Sequence, residues 1–414
     1  MKAEVVGVGT ELLLGQIANT NAQRISVSLA QIGIDVHWHS AVGDNLERIT
    51  DVLLRGIERS DAIVITGGLG PTPDDITAQA VALATGRRLV RDERLANLIR
   101  SFFEGRGRDM PEENLKQADL PDGATPIEPE GTAPGFYVEH DGTLLFALPG
   151  VPWEMTEMLR KTVVPVLRAR AGDAVTVSRH VLTIGLGESH LHRAIADIVD
   201  AQTNPTIAFL AGGGIARVRI TAKATTEDEA HDLIAPVEAA IRQRLGDRAV
   251  EGDAIGVVDA LSNVLRKRGL TVAAAESLTG GMLGAALTEA DGASDFFYGS
   301  IVCYTNDAKQ EVAGVPKEII ERHGAVSAAT ATAMAEGAAR AFDADLALAT
   351  TGVAGPTEQE AKPVGLVYVA ASLHGRTEAR EVRGYGDRTN IRTIAVNSAA
   401  DLGRRLIERH AGGR

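Results

Sequence analysis

The sequence predicts an α/β protein built from more than one domain, and three observations carry that prediction. At 414 residues the chain exceeds what one hydrophobic core usually supports. Short apolar runs alternate with longer patterns of helical period, as in parallel sheets covered by helices. The 44 glycines concentrate at the ends of those apolar runs, where a chain must turn tightly or approach a ligand with its backbone. Hydrophobic residues at 44% and charged residues at 23% exclude a disordered or fibrous chain.

From residue 1 to about 170, strand-like segments at 3–8 and 61–66 frame helical patterns at 19–32 and 45–60. In the second helix Leu46, Ile49, Val52, Leu53 and Ile57 share one face, with Asp44 placed as N-cap. After RARAGD (168–173) the pattern shrinks to a small α+β module: a strand at 175–184, a helix at about 189–200, a strand at 216–224 and a helix at about 226–245. A second junction, EGDAIG (251–256), opens a third α/β stretch. The expected domains are therefore 1–170, 171–250 and 251–414, with no fixed-period repeat.

Net charge and cysteine content narrow the function classes. A formal charge of −13 opposes nonspecific nucleic-acid binding, which depends on cationic neutralisation of phosphates, although a local basic patch stays compatible with it. Cys303 is the single cysteine, which excludes an intramolecular disulfide and a CxxC metal site and fits a reducing compartment. The N-terminal apolar run is short and carries Glu4, so it reads as a first strand and not as a signal peptide. No stretch reaches the roughly 18 apolar residues of a membrane helix. A cytoplasmic protein without membrane or nucleic-acid partners is the expectation.

DAIVIT (61–66) runs directly into GGLGPTPDD. Gly67, Gly68 and Gly70 let backbone N–H groups approach an anion at the start of the following helix. Asp74 and Asp75 suit a divalent cation shared with a pyrophosphate. Equally, Asp74 can cap the helix and Asp75 complement its dipole while the glycines only turn the chain. In the module, His190 and His192 lie two apart on different sides of a helix, which argues for surface or packing roles. Arg217, Arg219 and Lys223 fall on one strand face, read as a solvated face in preference to a phosphate or subunit contact.

In the third stretch, TVAAAESLTGG (271–281) places Ser277 at a strand-to-helix turn. The amides of Thr279, Gly280 and Gly281 can donate to an oxyanion or a phosphate there; alternatively Ser277 only caps the helix. No histidine lies near the glycine motifs, so a hydroxyl nucleophile needs another base. YTNDAK (304–309) offers Lys309 with Tyr304, although an isolated lysine is by default an ordinary surface charge. TTGVAGP (350–356) is a further strand and small-residue loop, and Arg388 and Arg392 are either phosphate contacts or solvated charges at a helix start.

GTELLLG, TGGLGPTPDD, GTAPG and PGVPWEM, in this order, resemble the N-terminal domain of the CinA (competence/damage-inducible protein A) family, a relative of the molybdopterin-binding MoaB/Mog fold. GLGESHLHRAIADIVD (185–200) resembles that family's KH-like module. AESLTGG, YTNDAK, TGVAGP, KPVG and GDRTNIR are similar to its C-terminal domain and to stand-alone nicotinamide-nucleotide amidases. The resemblance implies hydrolysis of nicotinamide mononucleotide (NMN) to nicotinate mononucleotide and ammonia, without a metal. It implies Ser277 as nucleophile, Lys309 and Tyr304 as proton carriers and Thr351 as a positioning group. Thr279, Gly280, Gly281, Gly352, Gly355, Arg388 and Arg392 would contact oxyanion or substrate, with Arg392 the first candidate for the phosphate.

For the N-terminal domain the resemblance implies a metal-dependent pyrophosphatase acting on ADP-ribose, with Mg, Mn or Co. Thr66, Gly67, Gly68, Gly70, Thr72, Gly131 and Gly150 would face substrate, and Asp74 and Asp75, with Asp44 as a third candidate, would hold the metal. The family architecture implies a homodimer. Two departures from the pattern stand out: Leu278 replaces the usual cysteine of the serine loop, and TEQEA (357–361) replaces the usual glycine-rich continuation. Activity in only one domain, nucleotide sensing tied to competence or DNA damage, and molybdopterin handling are the alternatives.

Overall fold

In the computed structural model residues 1–172 and 175–410 are described; Asp173 of the first expected junction lies outside them. The chain forms two units, one of residues 1–177 and 222–232, the other of residues 178–221 and 233–414.

The first unit is organised by a six-stranded sheet of β1 (Lys2–Val8), β2 (Asp35–Val42), β3 (Ala62–Thr66), β4 (Thr125–Ile127), β5 (Gly135–His140) and β6 (Thr143–Leu148), in the order β2-β1-β3-β6-β5-β4. β1 is parallel to β2 and β3, β3 is parallel to β6, and the remaining pairs are antiparallel. β3 and β6 are buried throughout, the consequence of helices on both faces. Helix α1 (Thr20–Gln31) packs Ile25 and Leu29 with Val5 and Val64, whereas α2 (Leu46–Arg59) packs Ile49 and Leu53 with Val6, Ile63 and Ile65. Alternate strand residues thus serve opposite layers.

The early Glu4 is fully buried in β1, where it accepts from Arg59 Nε (2.9 Å), Arg59 Nη2 (2.8 Å) and Ser40 Oγ (2.6 Å). The N-cap of α2 is Asn45, whose side chain accepts from the Arg48 amide, and not Asp44. Asp44 turns the other way and accepts from the Thr10 amide and hydroxyl at 2.8 and 2.7 Å. Helix α3 (Thr77–Ala84) follows the glycine loop, and α4 (Pro152–Met158) follows β6.

A three-stranded sheet of β7 (Val175–Ile184), β8 (Thr206–Gly212) and β9 (Ile215–Ala224) has the order β8-β9-β7. β8 is absent from the sequence expectation; it pairs antiparallel with β9 across Gly213 and Gly214, whose φ of +59° and +78° suit a two-residue hairpin. The single helix expected at 189–200 is two, Glu188–Ala194 and Ala196–Asp200, because Ile195 leaves the helical region at φ −127°. His192 packs 5.4 Å from Phe209, as a packing histidine would. Arg219 and Lys223 are exposed on β9, with buried Val218, Ile220 and Ala222 between and beside them.

The rest of the second unit is a five-stranded sheet of β10 (Val272–Glu276), β11 (Phe297–Val302), β12 (Leu346–Gly352), β13 (Leu366–Leu373) and β14 (Arg376–Arg383), ordered β11-β10-β12-β13-β14. β10 is parallel to both neighbours, and the last two pairings are antiparallel. On one face, α5 (Val257–Arg268) and α9 (Arg388–His410) bury Leu261, Leu265, Ala399 and Leu406 against Ala274 and Leu348. On the other, the alanine-rich α8 (Ala328–Phe342) covers Ala275, Ala347 and Ala349. Two short helices, α6 (Met282–Thr288) and α7 (Asn306–Glu311), follow β10 and β11. Among the described residues no helix is long and apolar enough to cross a membrane.

Candidate active site

β10 lies between β11 and β12, so the chain leaves it first to one side and then to the other. In open α/β sheets the crevice at the carboxyl ends of such strands is the usual ligand site. Ser277 stands at that end of β10, its amide donating to the Thr350 carbonyl at 2.9 Å. Lys309 comes from α7, where the Thr305 side chain caps the first turn. Its Nζ lies 3.0 Å from Ser277 Oγ, 3.1 Å from the Cys303 carbonyl oxygen and 3.5 Å from that of Tyr304.

Lys309 is 2% exposed. Burial pushes its pKa below the usual lysine value, opposed by the field a Cys303 thiolate would exert and by the negative charge of Glu360. As placed, Lys309 Nζ donates to Ser277 Oγ and to the two carbonyls; once the amine has lost a proton, the same positions leave its lone pair for the Ser277 hydroxyl. That arrangement can remove the hydroxyl proton, as a histidine would elsewhere. The Cys303 thiol is pushed up by burial and stays neutral.

Ser277, Lys309, Tyr304, Thr351, Gly352, Gly355 and Arg388 share one cavity of about 320 Å³, a size suited to a small-molecule ligand. Thr351 donates to the Ala325 carbonyl at 2.7 Å. Arg388 donates through Nη2 to the Tyr304 hydroxyl at 2.8 Å and through Nη1 to the Gly355 carbonyl. The Tyr304 hydroxyl is therefore engaged with the mouth arginine, and Tyr304 meets Lys309 only through its carbonyl, a correction to its expected proton role.

Two further expectations change. The Gly280 amide donates to the Ser277 carbonyl (3.1 Å) and the Gly281 amide to Glu276 Oε2 (2.9 Å), so neither is available for an oxyanion. Thr279 is buried with its hydroxyl 2.6 Å from that of Thr350. Arg392 donates to the Thr279 carbonyl at 2.6 Å and does not line the cavity, so it braces the serine loop while Arg388 is the arginine that reaches the ligand space.

Glu276, quoted in the motif but given no role from sequence, organises this loop. Its fully buried carboxylate accepts from the amides of Gly281 (2.9 Å), Leu283 (3.0 Å) and Gly284 (2.8 Å) and from Ser300 Oγ (2.7 Å). The positive end of α6 is thus filled from within the protein. TEQEA also finds its place: Thr357, Glu358 and Gln359 line the cavity, while Glu360 turns away. Burial disfavours ionised Glu360, but bonds from Lys362 and the Ala325 and Val326 amides outweigh that and lower its pKa. Glu360 and Ala361 both have φ of +53° between the paired Gln359 and Lys362, a turn that glycine would make with less strain.

The N-terminal candidates form three groups. Thr66 donates to the Pro149 carbonyl (3.0 Å), Gly67 lies against Gly150, and Asn21 Nδ2 joins Thr66 Oγ1 (3.0 Å) to the Gly150 carbonyl (2.8 Å). Gly67 sits so close to β1 that a Cβ would meet the Val8 carbonyl oxygen at 2.2 Å. Gly70, Thr72 and Asp75 form the second group, Asp75 accepting from the Thr72 amide (2.8 Å) and hydroxyl (2.5 Å). Helix α3 starts only at Thr77, so Asp74 does not cap it. Gly131 packs on Glu154, whose carboxyl is pushed up by burial.

Asn21 and Glu154 join the candidate site although sequence reasoning passed over them; Glu154 lies inside the quoted PGVPWEM motif, Asn21 six residues beyond GTELLLG. Asp44 is tied to Thr10, and among the described residues no group of three or more His, Cys, Asp or Glu can hold a metal. Of the two expected metal ligands, Asp75 lines the adjacent cavity with one oxygen committed to Thr72, and Asp74 does not line it.

Comparison with known protein families matches three parts of the chain. Residues 4–169 match the family described as probable molybdopterin binding domain, 178–249 the CinA KH domain and 256–407 the CinA C-terminal domain. Those three parts in one chain define the multidomain competence- and damage-inducible class. The chain belongs to the CinA family: it is 44% identical over 414 residues to a competence-damage inducible relative from Acetivibrio thermocellus, covering 100% of both. It is also 44% identical over 417 residues to a CinA-like protein of Frankia casuarinae, covering 98% of this chain and 96% of the relative. A solved CinA structure of unknown function from Thermoplasma acidophilum is 37% identical over 40% of this chain and 97% of its own, with a TM-score of 0.38.

Replacing Glu276 by glutamine removes the charge that four donors share and points an NH2 group at two of them. Glu276→Gln is expected to lower stability by about 2–4 kcal/mol, read as a fall in the urea midpoint; an unchanged midpoint contradicts the capping role.

Proposed function

We propose that the C-terminal domain is an amidohydrolase that converts nicotinamide mononucleotide to nicotinate mononucleotide and ammonia. The observation that carries this reading is Lys309, buried and 3.0 Å from Ser277 Oγ in a polar cavity. Neutral Lys309 takes the hydroxyl proton as Ser277 Oγ bonds to the carboxamide carbon, and the carbonyl π electrons move to oxygen. Collapse of the tetrahedral species expels the nitrogen, which takes the proton from Lys309 and leaves as ammonia. Water, deprotonated by the same lysine, then cleaves the acyl–serine ester and releases the carboxylate. Arg388 at the mouth supplies the positive charge for the nucleotide's phosphate. Thr351 and the Thr357–Gln359 wall border the remaining space.

For the first unit we propose a metal-dependent pyrophosphatase with ADP-ribose as its substrate class. Its support is the glycine loop before α3, where Gly68, Gly70, Asp75 and Lys116 gather backbone, carboxylate and cation around a cavity of about 50 Å³, room for part of a pyrophosphate and not for the whole nucleotide. Asp74 and Asp75 would hold a divalent ion, whose chemistry when bound is to neutralise the pyrophosphate. Lys116, which donates to the Thr72 carbonyl at 2.6 Å, fixes the loop that carries them.

Wild-type protein is expected to release ammonia from nicotinamide mononucleotide without added metal, with kcat falling by at least about a hundredfold in Ser277→Ala. Because Lys309 must be neutral and its pKa is lowered, kcat/KM should rise with pH and level off below the usual lysine range. A folded wild type that binds the nucleotide and releases nothing would point to sensing instead. Asp74→Ala with Asp75→Ala should abolish metal-stimulated ADP-ribose cleavage and leave ammonia release unchanged; cleavage at the wild-type rate removes their metal role.

A further inference from the structure

The second unit holds another cavity, of about 770 Å³, between β14, the C-terminal half of α9 and residues 246–251. Arg268, Arg380, Arg404, Arg405 and Arg409 line it, against three glutamates, Glu251, Glu378 and Glu408. In a chain of net charge −13 this is a local cationic excess.

Asp401 lies beneath the arginines with no exposed surface. It accepts from Arg404 Nη2 (2.9 Å) and from Arg405 Nε (3.0 and 2.9 Å to its two oxygens), and Arg380 Nη1 stands 3.6 Å away. Glu408 takes Nη1 of Arg404. These bonds hold the guanidinium planes without exhausting their donors. Arg404 is 5% exposed, and its Nε is buried without an acceptor among the described residues. Arg405 reaches Asp401 through Nε alone, leaving both of its Nη groups. A buried N–H without a partner is destabilising, and guanidinium forks held in fixed orientation match the oxygens of a tetrahedral anion.

We propose that this cavity binds a phosphoryl group, free or at the end of a small phosphate ester, at a site separate from the serine cavity. The assignment does not depend on the proposed amidase reaction. Orthophosphate, pyrophosphate and adenosine monophosphate serve as probes, each added to the full chain and followed by hydrogen exchange with mass spectrometry. Saturable protection is expected in Arg376–Arg383 and in the C-terminal half of α9. Equal protection by orthophosphate assigns the site to the phosphoryl group itself, and protection by the nucleotide alone assigns it to an ester.

The double variant Arg380→Gln, Arg405→Gln should weaken that protection by about tenfold or more in concentration, whereas Arg388→Gln at the serine cavity should leave it in place. Arg409→Gln, which removes one exposed side chain paired with Glu378, is the second variant if the double one unfolds, and it too should weaken protection. No protection by any probe, or protection unchanged in the cavity variants that fold, overturns the proposal.

Discussion

The C-terminal site depends on keeping a lysine amine away from water. An ammonium in water has little reason to surrender its proton, and a serine hydroxyl beside it stays inert. Lys309 is enclosed by α7, β11 and the serine loop, so its charged form loses hydration that two carbonyls only partly replace. In the proposed reaction that cost makes the buried lysine the base.

The same solution to a buried charge recurs at Glu276, with the opposite sign. Its carboxylate sits one residue before Ser277 and is satisfied by three amides and a hydroxyl. Backbone amides that could have bound an incoming anion are thereby committed to holding the turn rigid. Positive charge for a ligand must come from side chains at the mouth, which is where Arg388 lies. Arg392, four residues further along α9, is drawn inward to the Thr279 carbonyl and secures the other side of the turn.

Much of this was legible in the sequence. Apolar runs such as DAIVIT and TVAAAE predict β3 and β10, because strands buried on both faces have no polar alternation to obscure them. The five-residue apolar face of α2 packs in the core as predicted. Strand β8 was less legible because its burial is partial and its pairing depends on a Gly-Gly turn read only as part of a glycine-rich run. At the site, residue type and spacing offered Ser277 and Lys309 beside plainer readings, and the family resemblance singled them out, but neither gave the partition of roles between Arg388 and Arg392. Both arginines occupy the first turns of one helix, and only the loop they face decides which points to solvent. The partnerships of Glu276 and Asn21 were equally hidden, since a carboxylate capping a later helix and an amide bridging two strand ends are long-range contacts with no local pattern.

The central claim is that Lys309 is neutral where the protein works. Isotopic labelling of lysine side chains, with the Lys309 resonance assigned through Lys309→Arg, allows its titration to be followed directly by NMR in the full chain. The account predicts that this lysine loses its proton at lower pH than the exposed lysines such as Lys317. A Lys309 that titrates together with the exposed lysines would contradict it, leaving Ser277 without its base.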